Sequence, residues 1–329
     1  MPEVETNQLR EQVLLLSNFM NSRILGQDRL ISRMLVTLLA DGHILVEGPP
    51  GLAKTRAVKT LASGLEGDFQ RIQFTPDLLP ADLTGTDIYR PHDSSFHFQP
   101  GPLFHHVIVA DEINRAPAKV QSALLESMEE RQITVGKTTY PLPGLYFVMA
   151  TQNPIEQEGT YPLPESQLDR FLLKVTIDYP PVDAEVQIMQ QVRHEAQQDQ
   201  VALGIPAKLP IAQQVIIDAR QQILDLHMAQ PVEQYIAQLV DASRNPQLYS
   251  ATLAGWIQYG ASPRASLAFD RCCRALAWLE GRDYVSPEDV QQLAHEIMRH
   301  RILLTYQAEA DGIFVEQVID ELLAKVPTV

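Results

Sequence analysis

A chain of 329 residues is longer than one typical domain and predicts about two, with ample apolar sequence for a large core. Its formal net charge of −15 argues against a protein that holds nucleic acid chiefly by neutralising phosphates, because that needs a positive surface, and leaves room only for local basic patches. Cys272 and Cys273 are adjacent, too close for an ordinary structural disulfide, no leader-like segment opens the chain, and no apolar run approaches the about 20 residues of a membrane span; a cytoplasmic protein with two buried or half-buried thiols and no membrane insertion is expected.

Leu9, Val13, Leu16 and Met20 recur at helical spacing and predict a first helix over 5–22. A second, carrying Ile31, Met34, Leu35, Leu38 and Leu39, follows Gly26 and is stopped by Asp41-Gly42. The run His43-Ile44-Leu45-Val46-Glu47 reads as a buried strand, followed by a helix to about Gly64 and a strand over 70–74. Residues 75–103 are turn-rich, but 86–90 and 96–99 read as two short strands of an inserted hairpin. Val107-Ile108-Val109-Ala110 forms a strand ending at Asp111-Glu112, and a helix from about Pro117 turns Val120, Leu124, Leu125 and Met128 inward. A second hairpin spans 131–142 and turns at Gly136-Lys137. A strand over 146–150 then leads into Thr151-Gln152-Asn153-Pro154, a short helix carrying Asp169-Arg170, and a last strand over 172–178. Such alternation predicts an α/β domain over 1–180, its parallel sheet covered on both faces. Residues 181–329 read as all-helical, with helices over 263–280, after the capping sequence Ser286-Pro287-Glu288-Asp289, and over 313–325.

The chemistry concentrates at two strand ends. Between the first strand and its helix stands Gly48-Pro49-Pro50-Gly51-Leu52-Ala53-Lys54-Thr55, a loop whose backbone N–H groups would converge on phosphates above a helix N-terminus. Lys54 would reach the terminal phosphates and Thr55 would hold Mg²⁺. Ala53 stands where a second glycine is expected, which suits a residue already in the first helical turn. At the other strand end, Asp111 would support Mg²⁺ through water while Glu112 polarises the attacking water. Asn153 follows an apolar strand expected beside that of Asp111; an Asn-Pro turn starter is the alternative, but its place favours an amide that orients water. Arg170 by itself reads as a surface arginine or a partner of Asp169. Arg264 opens a helix, where its charge opposes the dipole; that points to an anion partner, with a solvated arginine as the alternative. The nine histidines show no metal-ligand spacing, so no structural metal is expected.

Together with Asp82-Leu83-Thr84-Gly85, Ala110-Asp111-Glu112-Ile113-Asn114-Arg115, Leu124-Leu125-Glu126-Ser127-Met128-Glu129-Glu130 and Ala150-Thr151-Gln152-Asn153-Pro154, these features resemble the MoxR family of AAA+ ATPases over nearly the whole chain. Relatives of that family include the ATPase subunit of magnesium chelatase. The resemblance implies a P-loop AAA+ core with inserted hairpins followed by a smaller all-α lid, and alanine is usual there at the position of Ala53. It assigns Asn153 to sensor 1, Arg170 to an arginine finger entering the neighbouring subunit, and Arg264 to the sensor-2 arginine of the lid. Leu25-Gly26-Gln27 matches the segment lining the adenine pocket. It further implies ATP and Mg²⁺ as cofactors and a homo-oligomeric ring, a hexamer. The expected partner is a von Willebrand factor A domain protein, in maturation of cofactors or metal centres.

Two other classes compete. AAA+ nucleic-acid motors carry hairpins at these places, and Lys137 sits at the second tip, yet the first tip, with His92 and Asp93, is not basic. A nucleotide-dependent scaffold without turnover is disfavoured because Lys54, Glu112, Asn153 and Arg170 are all present.

Overall fold

A computed structural model describes residues 2–49, 51–52, 54–92, 94–154, 159–197 and 209–328. In chain order its longer strands are β1 (Ile44–Glu47), β2 (Phe69–Gln73), β3 (Gly85–Arg90), β4 (Ser95–Pro100), β5 (Val107–Asp111), β6 (Gln132–Val135), β7 (Thr138–Pro141), β8 (Phe147–Gln152) and β9 (Leu173–Thr176). Five of them pair in parallel in the order β2-β5-β8-β1-β9.

The three central strands are apolar nearly throughout because helices cover both faces. Alternation sorts their side chains into two clusters. Ile44, Val46, Val109 and Met149 pack with the helices Asp28–Leu39 and Lys54–Gly64, whereas Leu45, Ile108, Ala110 and Val148 pack with Val120, Leu124, Leu125 and Met128 of the helix Ala118–Glu130. β2 lies at the sheet edge, so it tolerates Arg71 and Gln73 on an exposed face that a central strand would have to bury.

Both inserted hairpins form, β3 with β4 and β6 with β7. They are tied together by Phe98, whose ring stacks on Tyr140 at 4.0 Å between centroids and meets Phe104 edge-on at 5.5 Å. Ile88, Tyr89 and Phe96 remain exposed at the outer end.

The short helix before β9 is Glu165–Leu168, and Asp169 caps it instead of lying inside it. The Asp169 carboxylate is drawn away by the Ser262 hydroxyl and the Arg301 guanidinium, each donating at 2.7 Å. From Val182 on, the longer elements are helices, including Gln213–Leu224 and Gln230–Arg244, which the sequence reading leaves undivided. The helix Gln213–Leu224 packs back on the first two helices of the chain. One apolar cluster therefore runs from a sheet face into Phe269, Leu276 and Ile297 of the later helices. Polar links follow the same route, since Arg29 and Arg33 both pair with the buried Glu296, at 2.8 and 3.1 Å. Both cysteines are buried in the helix Pro263–Leu279, and burial pushes the Cys272 thiol up to about 12. Among the described residues no helix is long and apolar enough to cross a membrane.

Candidate active site

The phosphate-type loop leaves β1 where backbone room is tight. A Cβ on Gly48 would sit 2.6 Å from the Ile177 carbonyl oxygen, and Gly51 holds φ +84, so a side chain is excluded at the first and strained at the second. Pro50 and Ala53 lie outside the described residues; Leu52 is buried and the helix starts at Lys54. Lys54 Nζ donates to the Gly48 carbonyl at 2.7 Å. Partial burial draws its pKa down, against the opposing pull of Asp111, Glu112 and Glu47.

The sheet register brings the carboxylate pair to this loop. Asp111 ends β5, and β8 beside it delivers Thr151, whose hydroxyl donates to Asp111 Oδ1 at 2.6 Å. The same hydroxyl accepts the Glu112 N–H at 2.9 Å, so one threonine orients both carboxylate residues. Thr55 donates to Asp111 Oδ2 at 3.3 Å, closing the link between the helix and the strand end. Glu112 adopts φ 56 and ψ 52, a left-handed conformation that costs a non-glycine residue about 1 kcal/mol or more. It swings the side chain away from the strand direction, where Glu112 Oε2 accepts from Gln73 Nε2 at 2.7 Å and pairs with Arg115 Nε at 3.1 Å.

Lys54, Thr55, Asp111, Glu112, Thr151 and the buried Asn153 line one cavity of about 380 Å³, together with Gly51, Leu52, Arg56 and Arg71. A hydroxyl and a carboxylate converging on one point are hard oxygen donors, and among the described residues no cluster of His, Cys, Asp and Glu offers a self-sufficient metal cage. That set fits Mg²⁺, which takes few protein ligands and keeps water and phosphate oxygens. Bound there, with Thr55 as ligand and Asp111 behind its water, it would neutralise phosphate charge.

The two remaining arginines go elsewhere. Arg170 donates to the Leu125 carbonyl at 2.8 Å and pairs with Glu129 Oε2 at 3.1 Å. Arg264 pairs with the other oxygen of Glu129 and reaches Asp169 at 3.7 Å. Both line a second cavity of about 440 Å³ with Arg131, Arg271 and Arg301, and neither lines the cavity of Lys54. The structure thus brings Lys54, Thr55, Asp111, Glu112 and Asn153 together, and separately joins Arg170 to Arg264. Leu25 and Gly26 line neither cavity; Gln27 Nε2 reaches the Asp178 carbonyl at 3.4 Å, and a Cβ on Gly26 would lie 3.0 Å from Ala184. They sit against the chain that follows Ile177, the residue packed on Gly48.

Sequence reasoning passed over Arg71, Gln73, Arg115 and Thr151. Thr151 opens the Thr-Gln-Asn-Pro motif and carried a signal. Arg71 and Gln73 carried one only in hindsight, as two polar residues at alternate positions on a strand whose Gln73 pairs in register with Asp111.

Residues 43–173 match the model of the ATPase family associated with various cellular activities (AAA), and residues 254–322 match an AAA lid domain. The chain is 46% identical to Chaperone MoxR1 of Mycobacterium tuberculosis over 92% of its own length and 78% of that protein. It is 40% identical to YeaC of Bacillus subtilis, over 93% of this chain and 91% of that protein. Identity to Protein MoxR of Paracoccus denitrificans is 33%, over 94% of each chain. A crystal structure of a candidate ATPase from Cytophaga hutchinsonii superposes with a TM-score of 0.90 at 43% identity, covering 100% of this chain and 98% of that one.

Proposed function

The chain belongs to the MoxR family of AAA+ ATPases, and on that premise we propose that it hydrolyses ATP to ADP and phosphate as a ring of its own copies and uses the motion to remodel a protein client. The observation that carries this reading is the separation of Arg170 and Arg264 from Lys54. A hydrolytic site needs positive charge opposite the loop to meet the charge developing on the γ-phosphate. Within one chain the two arginines line a different cavity, which supports a site completed by a neighbouring copy. In this reading Glu112 activates water, Asn153 orients it, Lys54 and the loop hold the phosphates, and Thr151 fixes both carboxylate residues. Leu25 and Gly26 border the adenine.

The ring is a hexamer in this proposal, and it works in the cytoplasm with a von Willebrand factor A domain partner in maturation of cofactors or metal centres; the family resemblance supports those points. The net charge of −15 disfavours a nucleic-acid track.

Mixing tests the shared site. Lys54→Ala subunits and Arg170→Ala subunits should each be inactive alone, whereas mixed rings regain part of the turnover because some interfaces pair an intact loop with an intact arginine. Mixed rings that form, as seen by differential tagging, and stay inactive would sink the proposal.

A further inference from the structure

Asp111 has two oxygens, and their neighbours differ in kind. Oδ1 takes the neutral hydroxyl of Thr151 at 2.6 Å. Oδ2 takes a full positive charge: Arg71 on the edge strand β2 donates to it twice, from Nη2 at 2.7 Å and from Nε at 3.1 Å. That same Oδ2 lies 3.3 Å from the Thr55 hydroxyl, which makes it the oxygen facing the place a divalent cation would occupy.

Arg71 does not stand alone. Its Nη2 also donates to Gln73 Oε1 at 3.0 Å, and Gln73 Nε2 donates to Glu112 Oε2 at 2.7 Å, so one guanidinium and one amide connect both acidic groups of the cavity. Arg71 and Gln73 reach them because alternate residues of a strand share a face, and β2 runs in register beside β5. The Arg71 side chain is 52% exposed while that of Asp111 is 13% exposed. The cation can therefore swing outward at little cost, whereas the carboxylate stays put.

We propose that Arg71 is the resident counter-cation of Asp111, occupying Oδ2 when no divalent cation is near and yielding that oxygen when Mg²⁺ arrives with the nucleotide. The proposal rests on the nucleotide reading of the cavity. Its consequence is a sign. Removing Arg71 takes away a competitor and a like charge, so the Mg²⁺ requirement falls. With Mg²⁺ absent, removal leaves Asp111 without its arginine against the phosphates, so nucleotide binding weakens. An arginine that simply ligates phosphate would give a different pattern: its loss weakens binding by a similar factor with and without the metal.

The test is binding, not turnover. A ribose-labelled fluorescent, non-hydrolysable ATP analogue is titrated with wild-type protein, Arg71→Gln and Arg71→Lys, in EDTA and across a Mg²⁺ series. For Arg71→Gln the Mg²⁺ midpoint should fall about threefold to tenfold, the range for a half-exposed charge pair with good geometry, and Kd in EDTA should rise by a similar factor. Arg71→Lys, which keeps the charge but not the two-nitrogen contact with Asp111, should fall between wild type and Arg71→Gln in both quantities. Wild-type binding with an unmoved midpoint in Arg71→Gln overturns the proposal, as does equal weakening in both conditions. No binding of the analogue by wild type overturns the nucleotide reading and this proposal with it.

Discussion

The two charged cavities, about 380 and 440 Å³, are built on opposite plans. The cavity of Lys54 collects its groups from a loop and from the ends of strands β2, β5 and β8, so the register of one sheet sets their spacing. Parallel sheets commonly place sites at such carboxyl ends. The arginine cavity draws Glu129 from the helix Ala118–Glu130, Arg170 from the turn before β9, and Arg264 from the helix Pro263–Leu279, far along the chain. Its spacing rests on ion pairs between separate helices, Glu129 bridging Arg170 and Arg264 and Asp169 holding Arg301. A site fixed by a sheet keeps its shape when helices shift. The half-exposed pairs that Glu129 makes with Arg170 and Arg264 hold less firmly, because such pairs are individually weak. The difference fits the proposed division into a half that binds nucleotide and a half that responds to motion.

The largest effect should come from splitting the halves. Arg170→Ala should leave nucleotide affinity close to wild type while cutting turnover by roughly 10³ to 10⁵, the contribution of an arginine finger. Lys54→Ala should instead lose binding itself. A Kd that rises as steeply in Arg170→Ala as in Lys54→Ala would place both residues at one site within the chain and dissolve the comparison.

Within the first cavity, Glu112→Gln should keep nucleotide binding and lose turnover by roughly 10² to 10⁴, as expected for removal of a general base. The amide preserves shape and can still meet Gln73 and Arg115. Phosphate release near the wild-type rate would remove Glu112 from that role.

How far the sequence led depends on the range of the interactions. The loop and Asp111-Glu112 are legible because each is contiguous and lies next to an apolar strand, so local pattern carries the chemistry. Asn153 is legible through the same rule. Arg71 and Gln73 are not, since their meaning comes from lateral pairing of β2 with β5, which strand sequences do not record. The union of Arg170 with Arg264 is hidden for the same reason, being made by Glu129, distant in sequence from both. The helices Gln213–Leu224 and Gln230–Arg244 went unread singly because fold class alone predicted helices there without setting their limits.

The smallest effect concerns stability, and acid should expose it on the arginine side. His43 directly precedes β1 and lines the arginine cavity. Its Nδ1 accepts the Val148 N–H at 3.1 Å, which leaves the proton on Nε2, 3.3 Å from the Met128 carbonyl. Burial, and then the charge of Arg131, push its pKa down from 6.5 to about 3. Between those values the unfolded chain binds a proton that the folded one refuses, so stability rises with pH through that window and is lost as pH falls below 6.5. From pH 7 to 5 the loss should be about 2 kcal/mol from this ring, at 1.36 kcal/mol per unit once the unfolded imidazole is protonated. His300, buried and shifted the same way, adds to the slope. His43→Gln isolates the first term: it should be less stable than wild type at pH 7, yet lose about 2 kcal/mol less on acidification to pH 5 in urea unfolding. Parallel stability curves for the two proteins would assign the acid sensitivity to His300 or to the carboxylates. A shallower curve for the variant ties it to the seam between β1, β8 and the helix that carries Glu129.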